Sequence, residues 1–136
     1  MNQSESSRIQ KVNPLPLWAG RIITGLVALA FGFSAFMKIQ GGPEYDKGTA
    51  HLGLPESMRI PLATLELTCL AIYLIPGSSV IGAILLTGYM GGAICTHWRV
   101  GDAFIPHIVI GILIWLGLCL REPRLWWLMP WRRVRK

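Results

Sequence analysis

Apolar residues in this chain fall into four long blocks separated by short polar breaks. The first block runs from Leu17 to Met37 and contains one charge, Arg21, near its start. As a helix, roughly 21 residues at 1.5 Å each extend about 31 Å, the thickness of a bilayer's hydrocarbon core. The break after it, residues 39–58, is the only long one. Gly41-Gly42-Pro43 ends the first helix, and Pro43 is placed to open a short interfacial helix reaching Leu52. The second block runs from Arg59 to Ile75 and contains a carboxylate, Glu66. Pro61 sits near its start, so either it kinks this helix or the helix begins close to Arg59. Pro76-Gly77-Ser78-Ser79 reads as a tight turn. The glycine-rich third block covers Val80 to Trp98, Arg99-Val100-Gly101-Asp102 forms a short connection, and the fourth block covers Phe104 to Leu120.

These blocks predict an all-α fold: a bundle of four transmembrane helices with a long extracytoplasmic loop between the first and second. Residues 1–16 form an N-terminal tail, residues 17–120 the membrane domain, and residues 121–136 a basic, tryptophan-rich tail lying on the membrane surface. Trp126, Trp127, Trp131, Arg132 and Arg133 are its expected lipid-interface anchors.

Composition agrees with this pattern. Apolar residues make up 52% of the chain and charged residues only 15%, too few to clothe a soluble domain of 136 residues. The net charge of +6 sits at block edges rather than on a continuous basic face. It therefore reads as topology signal and headgroup anchor, not as a nucleic-acid surface. No cleavable signal peptide is expected, because the first apolar block is too long and follows sixteen mostly polar residues. Cys69, Cys95 and Cys119 lie within apolar blocks without paired spacing, which argues against a disulfide framework.

Charge also predicts orientation. One side of the membrane would carry nine basic residues, among them Arg8, Lys11 and Arg21, and the other would carry Lys38, Lys47, Arg59 and Arg99. The positive-inside rule then places both termini in the cytoplasm of a multi-pass inner-membrane protein. Lys38, Glu66, His97, Arg99, Asp102 and His107 gather near the opposite, outer end. A carboxylate within a span must face the bundle interior and be paired or protonated. Lys38 and Arg99 are the candidate cations for Glu66, and His97 is a candidate hydrogen-bond partner. The cluster reads either as a structural ion pair or as a ligand, proton or quinone site. Gly88, Gly91 and Gly92 make a small-residue face, read as helix packing in preference to room for a flat ligand. No metal is expected: His97, His107 and Glu66 have the residue types of a two-histidine, one-carboxylate site but lack tight ligand spacing.

The chain resembles the DoxX-like family of small four-helix membrane proteins over about residues 18–130. Ser34 to Lys38, Gly53 to Ser57, Leu65-Glu66-Leu67, Leu120 to Leu125 and above all Gly82 to Asp102 carry the resemblance. The family pattern holds a lysine, an intramembrane glutamate and a His-x-Arg, matched here by Lys38, Glu66 and His97-Trp98-Arg99, whereas Cys95 and His107 depart from it. The resemblance implies membership of a group named for a subunit of a quinone-linked membrane oxidoreductase, other members of which are accessory subunits or chaperones.

Three functions are therefore expected, in this order. The first is a non-catalytic accessory subunit of a larger membrane complex, or a homo-oligomer. The second is a quinone- or redox-linked subunit, with quinone the one cofactor in view. The third is a binder of lipid or another small molecule. No stand-alone enzyme is expected, and the lipid bilayer is the one partner that all three readings share.

Overall fold

The computed structural model describes residues 15–125, and within them every regular element is a helix. They are α1 (Leu15–Gln40), α2 (Pro43–His51), α3 (Arg59–Leu74), α4 (Ser79–Arg99) and α5 (Ile105–Arg121), with a 3-10 turn over Glu56–Met58 ahead of α3. The tail residues Trp126, Trp127, Trp131, Arg132 and Arg133 lie outside the described residues. Leu15 and Pro16, expected in the N-terminal tail, belong to α1. Proline is tolerated in a helix's first turn because no carbonyl waits there for its missing N–H. The same rule settles the start of α3, where Pro61 is the third residue of a helix beginning at Arg59.

Helices α1 and α4, and α3 taken together with the 3-10 turn before it (Glu56–Leu74, 19 residues), are long and apolar enough to cross a membrane, and α5 is an apolar helix of 17 residues, about 26 Å. The four form a closed ring. α1 packs against α3 and α5, α4 packs against the same two, and the remaining pairs lie on diagonals. Val27, Phe31, Leu70, Tyr73, Leu86, Ile114 and Leu118 fill the centre. At the end away from α2, Arg121 donates to the Tyr73 carbonyl at 2.7 Å and covers its ring, while the Tyr73 hydroxyl donates to the Ile114 carbonyl at 2.8 Å.

The outer surface is as apolar as the centre. Ile22, Leu26, Leu29 and Phe33 on α1, Ile81 and Ile84 on α4, and Ile105 and Ile112 on α5 are all exposed. Patches of this extent are rare on soluble monomers but are what a bilayer contacts. Glu66, by contrast, is only 1% exposed.

Two of the positive-φ glycines at the α2 end close their helices in the same way. α2 closes with Gly53 at φ +69, the Gly53 N–H donating to Ala50 O and the Leu54 N–H to Thr49 O. α4 closes in the same way with Gly101 at φ +81, the Gly101 N–H donating to Trp98 O and the Asp102 N–H to His97 O. This is the Schellman ending, which favours glycine because the required φ is strained for residues with a Cβ. Its second bond folds Asp102 back over the last turn of α4.

Candidate functional site

Lys38 stands in the last turn of α1, and Glu66 sits two turns into α3. Their side chains meet at 2.8 Å, with Lys38 13% exposed. The same ammonium donates to Ser34 Oγ, one turn back on α1. Tyr89, on α4, lies within the electrostatic reach of Glu66, and the Phe31 ring tilts against the Tyr89 ring at 6.1 Å. Tyr45 on α2 completes this side. Burial, and after it the Glu66 charge, raises its phenol above the usual tyrosine value.

A second group sits beside it. The α4 ending brings the Asp102 carboxylate to 3.5 Å from His97 Nδ1, and His51 of α2 approaches the other carboxylate oxygen at 3.1 Å. The His97 and His107 rings lie 4.5 Å apart at 35°. His107 Nδ1 is buried without a hydrogen-bond partner.

Between the two groups lies a cavity of about 800 Å³. Lys38, Glu66, His97, Asp102 and His107 all line it, as do Tyr45, Thr49 and His51 from α2, which forms part of its wall. Deeper in, the lining is Phe31, Cys69, Leu85, Met90 and Ile110. The arrangement is an apolar chamber with hydrogen-bonding and ionisable groups at one end, as in many small-molecule sites.

Five of the six expected site residues are therefore brought together, and Arg99 is not among them. Its guanidinium donates to the Leu52 carbonyl in the loop after α2 and packs near Gly53. The cause is helical geometry: two residues beyond His97 is a rotation of about 200°, which turns Arg99 to the other side of α4. Lys38 alone supplies the cation for Glu66, and His97 turns to Asp102 and His107 instead of the Glu66 carboxylate.

The expectation that Gly88, Gly91 and Gly92 pack helix against helix is corrected within this chain. A Cβ added at any of the three meets nothing within 4 Å. Gly88 and Gly92 instead form part of the cavity wall, and Gly91 lines a shallower groove between α4 and α5. The close approaches lie elsewhere. A Cβ on Gly82 would stand 2.2 Å from the Tyr73 nitrogen, and one on Gly20 would stand 2.8 Å from the Arg121 nitrogen.

Sequence reasoning missed Ser34, Tyr45, His51 and Tyr89. Tyr89 was within reach of it, since Tyr89, Ala93 and His97 recur at intervals of four and share a helix face. His51 was not, because its partner Asp102 lies 51 residues away. Among the described residues, no three His, Cys, Asp or Glu side chains gather closely enough to hold a metal ion.

A family model, described as the DoxX-like family, matches residues 22–120. The chain belongs to the DoxX-like family. No curated protein and no solved structure matches it. The matched segment of this DoxX-like protein holds every residue of the two polar groups and all of α2, and it ends before the tryptophan-rich tail. Together with the long apolar helices, membership makes this a small membrane protein.

Proposed function

We propose that this DoxX-like protein crosses the inner membrane four times, with both termini in the cytoplasm, and holds a small, largely apolar molecule in the outward half of its bundle. The observation that carries the reading is the cavity of about 800 Å³ with a buried Lys38–Glu66 pair in its wall. Intramembrane charge is expensive, and here it is placed where a ligand can touch it.

A quinone fits this space. The bare backbone at Gly88 and Gly92 leaves room for a flat ring against α4, room that a side chain there would fill. Lys38 and the Tyr89 hydroxyl are donors suited to a carbonyl oxygen. A bound quinone would supply redox chemistry. The residues of the chain would orient it and exclude water from the apolar part of the chamber.

The accessory-subunit reading draws on the small size of the chain and on its exposed apolar faces, which suit lipid and protein neighbours equally.

The test is titration of the purified protein with a short-tailed benzoquinone, read by intrinsic fluorescence and by thermal unfolding. We expect saturable quenching and a raised unfolding temperature, both lost in Glu66→Gln and in Gly88→Leu, which fills the chamber without touching the ion pair. The absence of any saturable effect for quinones and other apolar ring compounds would contradict the reading.

A further inference from the structure

The cavity wall is unevenly charged, and we infer from this that it accepts small aromatic molecules with a neutral or cationic head group and turns away anionic ones. The inference rests on the reading of the cavity as a binding site.

Among the described residues, Lys38 is the only lysine or arginine in the wall. Its ammonium already contacts Glu66 at 2.8 Å and Ser34, so its charge is cancelled at contact distance and two of its donors are engaged. Arg99, which donates to the Leu52 carbonyl, and Arg59, 3.8 Å from Asp46, do not line the cavity.

The wall holds two further carboxylates, Glu44 from α2 and Asp102 from the α4 ending. The partner of Glu44 is Lys47, 74% exposed and outside the wall, and such surface pairs are weak. Among the described side chains, Asp102 is paired with the imidazoles of His51 and His97 alone. An anionic head leaving water would thus find no uncommitted lysine or arginine in the wall and two like charges, Asp102 beside imidazoles and Glu44 at the exposed rim. A cationic head would find carboxylates, and the aromatic residues Tyr45, Tyr89 and Phe31 in the same wall suit a cation as well. A neutral head loses little on entry. Charged groups are buried only where they are matched, so the imbalance sorts ligands by head-group charge.

The experiment uses one ring with three heads: naphthylmethylamine, naphthylmethanol and naphthoate. Each is dialysed to equilibrium, at mildly alkaline pH, against the full chain in phosphatidylcholine nanodiscs, with empty nanodiscs correcting for lipid partitioning. The amine and the alcohol should be retained over empty discs, and naphthoate should bind at least about tenfold more weakly than the amine, or ~1.4 kcal/mol. Neutralising the rim in Glu44→Gln/Asp102→Asn should narrow that gap. Glu44→Gln alone alters a side chain that is 90% exposed, so it keeps the comparison informative if the double variant fails to fold. Retention of none of the three overturns the cavity reading and this inference with it. Naphthoate binding as well as the amine, or a gap unchanged in both variants, overturns the inference alone.

Discussion

At Glu66 a single side chain organises the polar end of the molecule. It is 1% exposed, it faces Lys38 at 2.8 Å, and Tyr89 and Tyr45 both lie within its electrostatic reach. Removing one partner of such a pair strands a charge, whereas replacing both with apolar groups of similar volume is often near neutral. Lys38→Met should therefore destabilise the folded protein by about 3–5 kcal/mol, and Lys38→Met/Glu66→Leu should recover most of that loss. Thermal unfolding in mild detergent, followed by size-exclusion chromatography, measures both. Equal losses in the single and double variants would show that the pair is not coupled. The interior position of Glu66 was legible in the sequence, because a carboxylate inside an apolar block has nowhere else to go. Its choice of Lys38 over Arg99 was not, because that choice depends on helix rotation at the α4 end, where Arg99 swings away to the loop after α2.

At the scale of elements, the apolar blocks marked the helices to within a few residues, and Pro43 and Gly53 bracketed α2 as its start and stop signals imply. Glycine was the weak point. A run such as Gly88, Gly91 and Gly92 says only that a face is small, and what lies opposite depends on the other helices. Here the opposite side is open, whereas Gly82 meets the backbone of Tyr73. The two kinds of glycine should respond oppositely to the same substitution. Gly82→Ala forces α3 and α4 apart and should sharply reduce the yield of folded protein. Gly88→Ala relieves a helix-interior glycine and should raise stability by about 0.5–1 kcal/mol while weakening ligand binding. Yields on size-exclusion and unfolding temperatures separate the two cases. A folded, undiminished Gly82→Ala protein would contradict the close crossing.

Across the whole molecule, isoleucine, leucine and phenylalanine cover the outside as well as filling the core, while the Glu66 carboxylate is buried within. That much follows from composition and block length. The chamber does not, because its wall draws on α1, on α2 and on the ends of α3, α4 and α5, and contacts such as His51 to Asp102 join residues far apart in the chain. The most direct measurement is native mass spectrometry of the protein extracted from its own membranes in polymer nanodiscs, compared with Gly88→Leu prepared in parallel. A small organic molecule should stay with the unaltered chain after lipid is stripped and be absent from the variant. Identical masses for the two, beyond the substitution itself, would contradict a ligand in the cavity beside Lys38 and Glu66.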